Sequence, residues 1–107
     1  MRDKIRILKE LKTLLVRHFG DDIDDVILFG SQATGKAHEY SDYDLMIILK
    51  NDYDWKYKKH VRYVCYDIAL KYDIFLNTKI ISLNELYNSL RGKQPLFTDA
   101  LKEGIYV

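Results

Sequence analysis

With 107 residues, 17 Lys and Arg against 16 Asp and Glu, and a formal charge of +1, the chain has room for one core and lacks the basic excess of a nucleic-acid binder. Its 48% hydrophobic content argues against disorder, while apolar runs such as Leu45 to Leu49 are too short to span a bilayer. Charged residues directly after Met1 and a single cysteine, Cys65, which can form no internal disulfide, set the expectation of a cytoplasmic protein without membrane attachment.

In chain order, Ile5, Leu8, Leu11, Leu15 and Phe19 recur at helical spacing with basic residues between them, so residues 3–19 are expected to form an amphipathic helix stopped by Gly20. The run 25-DVILF-29 is a short buried strand that turns at Gly30-Ser31 into a short helix or loop closed by Gly35. Residues 42–49 form a second strand, apolar on both faces as a central strand is. After a loop at 51–54, Val61, Val64, Cys65 and Ile68 mark a helix over 55–72, with Leu70 off the stripe. A third strand is expected over 73–76 and 79–82, interrupted near Asn77. Ser82 with Glu85 then reads as a capping box opening a helix over 83–90. Pro95 to Gly104 fits a short helix with proline near its start and glycine past its end. The fold class is α/β or α+β, a mixed sheet flanked by helices in a single domain.

Charge at the entrance of the second strand is the unusual feature. In a strand, residues i and i+2 face the same side, so Asp42 and Asp44 project together with Cβ atoms roughly 6 to 7 Å apart. Two ionised carboxylates held that close repel and call for a compensating cation. Magnesium suits them, because this hard ion takes one or two carboxylates together with phosphate oxygens and water. Upstream, Gly30 lets a ligand approach the backbone, and Ser31 offers a hydroxyl and an amide where phosphate oxygens are commonly held. Either half alone has an ordinary explanation as a turn, a cap or a strand end. Joined in order on two strands, they point to a metal-bound nucleotide.

The run Gly30-Ser31, Gly35, Ser41-Asp42-Tyr43-Asp44-Leu45 resembles the signature of the DNA polymerase beta-type nucleotidyltransferase superfamily, and the short chain resembles its minimal, MntA-like branch. The motif covers about a sixth of the chain, and the order of helices and strands agrees over most of the rest. The resemblance implies that Gly30, Ser31 and Ser41 bind the nucleotide and that Asp42 and Asp44 are ligands of two Mg2+ ions. It also implies attack by an acceptor hydroxyl on the α-phosphorus of ATP or another nucleoside triphosphate, with release of pyrophosphate. The superfamily usually adds a third carboxylate from a later strand. Asp73 is the first candidate for it, as metal ligand or acceptor base, because it starts the expected third strand, and Asp67 is the second. If that strand begins later, its polar candidate is Asn77, a weaker ligand and a departure from the family's pattern.

The remaining polar features carry less. His18, His38 and His60 lack close metal-ligand spacing, Lys36 reads as a surface lysine, and 56-KYKKHVRY-63 reads as a solvated helix face rather than a nucleic-acid patch. Nine tyrosines are compatible with an interface, and hence with a homo- or hetero-oligomer, as well as with core packing. Two functions follow. One is an active Mg-dependent nucleotidyltransferase, an adenylyltransferase by the resemblance, acting on a HEPN-domain toxin as its antitoxin. The other is a catalytically weak module of the same fold that neutralises a partner by binding alone.

Overall fold

The computed structural model describes residues 4–35 and 42–107. Helix α1, Lys4–Phe19, buries Leu8, Leu11 and Leu15 of the expected stripe; Ile7 joins them while Ile5 stays half-buried. A single 3-10 turn, Gly20–Asp22, leads into strand β1, Ile23–Phe29. This strand starts earlier than its apolar run suggests, because Ile23 pairs with Leu49 across a register irregularity between Ile23 and Asp25. Gly30 then caps a four-residue helix, α2, Ser31–Thr34, and Gly35 ends it in the left-handed conformation.

Strand β2, Tyr43–Leu49, lies antiparallel to β1 and parallel to β3, Leu76–Ser82. The parallel pairing needs a crossover, which is helix α3, Trp55–Tyr72, capped by the Asp54 carboxylate accepting from the Tyr57 amide at 2.8 Å. Helices α4, Leu83–Asn88, and α5, Pro95–Glu103, follow, and β4, Ile105–Tyr106, returns to the outer edge of β1. The sheet order is β3-β2-β1-β4. Strand β4 was not expected, since a two-residue strand shows no periodicity and exists only through its pairing with Ile27 and Leu28.

Alternation along the strands divides the interior into two clusters. Val26, Leu28, Leu45, Ile47, Leu49 and Ile80 face α1 and α3, where Val61, Val64, Cys65 and Ile68 form the buried stripe predicted for α3. Ile27, Met46, Ile48 and Ile81 face α4 and α5, packing on Leu86, Phe97 and Ala100. Strand β2 is therefore covered on both sides, as its uninterrupted apolar run requires.

The third strand differs from expectation. Helix α3 runs to Tyr72, and Asp73 is its C-cap at φ 51°, a left-handed residue outside any strand. The strand begins at Leu76 and continues through Asn77 without a break. The run DIFL has strand-like composition, but Phe75 is 73% exposed and serves as connection, its carbonyl accepting from the Tyr43 amide.

The capping box at the end of β3 is formed as read. Ser82 Oγ accepts from the Glu85 amide at 3.1 Å and the Glu85 carboxylate accepts from the Ser82 amide at 3.2 Å. Ser82 is fully buried and also donates to Asp52 Oδ1 at 2.8 Å, so the Ser82→Ala chain is expected to lose about 1 to 2 kcal/mol in urea denaturation. Burial pushes the Glu85 carboxyl upward, but hydrogen bonds from Tyr53, the Ser82 amide and Arg91 outweigh it and hold the group below its ordinary value. A carboxyl depressed on folding contributes stability at higher pH that is lost as pH falls through its folded value. Acid unfolding below about pH 4.5 is accordingly expected to be shallower in Glu85→Gln than in the parent chain.

Candidate active site

The site is assembled where β1 and β2 lie side by side. Phe29 pairs with Asp44, which places the Gly30 turn directly against that carboxylate. Gly30 has φ 72° and ψ −155°, a conformation that side chains strongly disfavour, and a Cβ there would stand 2.4 Å from Asp44 Oδ2. Glycine is thus required twice, by its backbone angles and by its closeness to the acid. Asp42 lies immediately ahead of β2 and is exposed, whereas Asp44 is half-buried within the strand. Asp44 shares the sheet face of Met46 and Ile48, the face covered by α4 and α5.

On its other side Asp44 meets β3. The register pairs Asp44 with Asn77, and Asn77 Nδ2 donates to Asp44 Oδ1 at 3.0 Å. The group delivered beside the acid pair from the third strand is therefore an amide. Asp73, expected there, is held at the end of α3, and Asp67 is an exposed residue within α3, on the side of the sheet away from Asp44. Among the described residues, no group of three or more His, Cys, Asp and Glu side chains is placed to hold a metal ion. Asp73 stands at the end of α3, and the residues from Asp73 to Phe75 separate it from the strand that reaches Asp44. His18 and His60 come together as exposed rings with centroids 6.0 Å apart, alongside Phe19 and Tyr57, without a third ligand. Ser41, Lys36 and His38 lie outside the described residues.

A cavity of about 400 Å3 opens beside the acid. Gly30, Asp44, Asn77 and Lys79 line it from the sheet side, and Asp99 and Glu103 from α5; Phe29 and Leu96 add apolar wall. The α5 residues were not singled out in the sequence. Their four-residue spacing places Asp99 and Glu103 on one helix face, but only the packing of Phe97 and Ala100 on the sheet fixes which way that face points. No helix of the described residues is long and apolar enough to cross a membrane.

The donor set suits a hard divalent cation. Asp42 and Asp44 offer carboxylate oxygens, the Asn77 amide group adjoins Asp44, and the missing Cβ at Gly30 leaves room at Asp44 Oδ2. Such an arrangement could hold a metal between protein oxygens and a polyanionic ligand, with the Gly30-Ser31 backbone beside it.

Comparison with known proteins identifies the family and the fold. The family model described as "Nucleotidyltransferase domain" matches residues 5–105. Two Methanocaldococcus jannaschii proteins bearing the name "Putative protein adenylyltransferase" are similar: MJ1305, 35% identical over 89% of this chain, and MJ0141, 38% identical over 68% of it. The chain spans 65% of the length of the first and 74% of the second. A crystal structure of a toxin–antitoxin with AMP-PNP shares the fold, with a TM-score of 0.59 and 16% identity over 92% of this chain and 70% of that one.

Proposed function

Because the chain belongs to the nucleotidyltransferase domain family, we propose that it transfers AMP from ATP to a hydroxyl on a protein, using Asp42 and Asp44 to hold Mg2+ and Gly30, Ser31 and Ser41 to hold the nucleotide. The observation that carries the reading is the contact of the Gly30 turn with the Asp44 carboxylate. It brings a side-chain-free backbone, suited to phosphate oxygens, against the carboxylate proposed as metal ligand. The acceptor hydroxyl loses its proton to solvent as its oxygen forms a bond to the α-phosphorus, the bond from that phosphorus to the bridging oxygen of the β-phosphate breaks, and pyrophosphate leaves. Bound Mg2+, two ions in the full arrangement, supplies charge neutralisation for the triphosphate and its leaving group. The chain's own part is to fix geometry. Strand β2, buried on both faces, mounts Asp44 rigidly, and the strained Gly30 turn holds the phosphates in line with it.

The cavity beside Asp44 is the natural seat for the nucleoside or the acceptor side chain, since it joins apolar wall to polar groups at the reacting end. The relatives' name supports a protein acceptor, and the toxin–antitoxin among the structural neighbours supports a toxin as that protein; the HEPN class of that toxin is part of the proposal. Incubation with the product of the neighbouring gene tests the reading. ATP labelled at the α-phosphate should leave label on the partner in the presence of Mg2+, and ATP labelled at the γ-phosphate should leave none.

A second reading is favoured by Asn77, an amide where a third acid would strengthen the metal site. In that reading the chain neutralises its partner by complex formation alone. The complex would then form without any labelled product and would survive loss of both aspartates.

A further inference from the structure

We propose that Asn77 is a positioning residue that makes metal binding conditional on the nucleotide, an inference that rests on the transferase reading above. Its amide donates to Asp44 Oδ1 at 3.0 Å, while Asp44 Oδ2 lies against the Gly30 turn, so the carboxylate is clamped from both sides. The clamp is neutral. An acid at this register position would place a third negative charge beside Asp42 and Asp44, whereas the amide orients Asp44 and adds none. A divalent ion then meets two carboxylates from the described chain, one of them exposed to water. Magnesium surrenders its water reluctantly and is commonly held by one or two carboxylates plus substrate phosphates. With Asn77 in place, the phosphates supply the missing negative oxygens. The empty protein therefore holds the ion weakly, and metal and triphosphate enter as a unit.

The register makes this specific to one side chain. Thr78 and Leu76 face the opposite side of β3, and Lys79, next on the same face, pairs with Met46 one step deeper. Only position 77 stands level with Asp44. Lys79 also lines the cavity, where Asp99 and Glu103 of α5 offset its charge.

Mn2+ binding to the full chain, read by enhancement of water-proton relaxation with and without AMP-PNP, tests the proposal. The parent chain is expected to bind Mn2+ at least tenfold more weakly alone than with AMP-PNP. Asn77→Asp is expected to bind nucleotide-free Mn2+ about tenfold more tightly than the parent, the scale of one added charge near a divalent ion at a part-exposed site. Asn77→Leu, neutral but without the donor, should match the parent without nucleotide and hold the ternary complex severalfold more weakly. Equal nucleotide-free affinities of Asn77→Asp and the parent would overturn the proposal while leaving the transferase reading intact, provided that the parent forms the ternary complex. Parent binding as tight without AMP-PNP as with it overturns the proposal even if neither variant folds. A parent chain that forms no ternary complex overturns both.

Discussion

Replacing both Asp42 and Asp44 by Asn is expected to reduce transfer of α-labelled AMP by a factor on the order of a thousand or more and to leave the fold intact. The size follows from electrostatics: removing one preorganised partner of a developing charge commonly costs about 10²- to 10³-fold, and this change removes both carboxylates of the proposed metal site. Retention of the fold follows from position. Asp42 is exposed and Asp44 half-buried, and an asparagine at 44 still offers Asn77 a carbonyl oxygen. The check is a labelling assay beside a thermal melt. Unchanged labelling would place the metal site elsewhere, and lost labelling with a collapsed melt would point to folding instead.

Gly30→Ala is expected to cost both stability and activity, for separable reasons. Its backbone occupies φ 72° and ψ −155°, a region essentially reserved for glycine, and forcing a side chain there costs about 1 to 3 kcal/mol. Urea denaturation reads that loss. The added Cβ would also stand 2.4 Å from Asp44 Oδ2, and the carboxylate, as the freer partner, is the group that moves. A displacement of about 1 Å in a reacting group can cost on the order of a hundredfold in rate. Molecules that remain folded should therefore transfer AMP about a hundred times more slowly. Gly35→Ala provides the contrast. Gly35 has φ 75°, yet a Cβ there meets nothing within 4 Å among the described residues, so it should show the backbone cost without displacing Asp44. Equal activity loss in the two variants would sink the argument from the Gly30–Asp44 contact.

Much of this arrangement is legible in the chain because it is local. The stripe of α1, the stripe of α3 with Leu70 left outside it, the capping box at Ser82 and Glu85, and the alternation that sets Asp44 apart from Leu45 each depend on residues a few positions apart. What escaped is set by pairing between distant segments. Asp73 and Asn77 are four positions apart, and composition favours DIFL as a strand; the choice is decided by where β3 aligns against β2, with Tyr43 opposite Leu76 and Asp44 opposite Asn77. The same holds for β4, which exists through β1, and for the α5 wall of the cavity, whose orientation comes from Phe97 and Ala100 against the sheet. The sequence names the acids and the turn, and the parallel register decides which neighbour stands beside them.

The two faces of the sheet are unequally secured. Sixteen buried residues gather on the α1 and α3 side and seven on the α4 and α5 side, among those described. Apolar burial sets how far a segment resists local opening, so amide hydrogens of α4 and α5 should exchange with solvent deuterium through partial openings, while those of β1, β2 and α1 wait for global unfolding. Asp44 and its cavity lie on the weaker side. Breathing of α5 would thus widen the cavity without disturbing the strand that carries Asp44, giving a large acceptor a way in over a fixed floor.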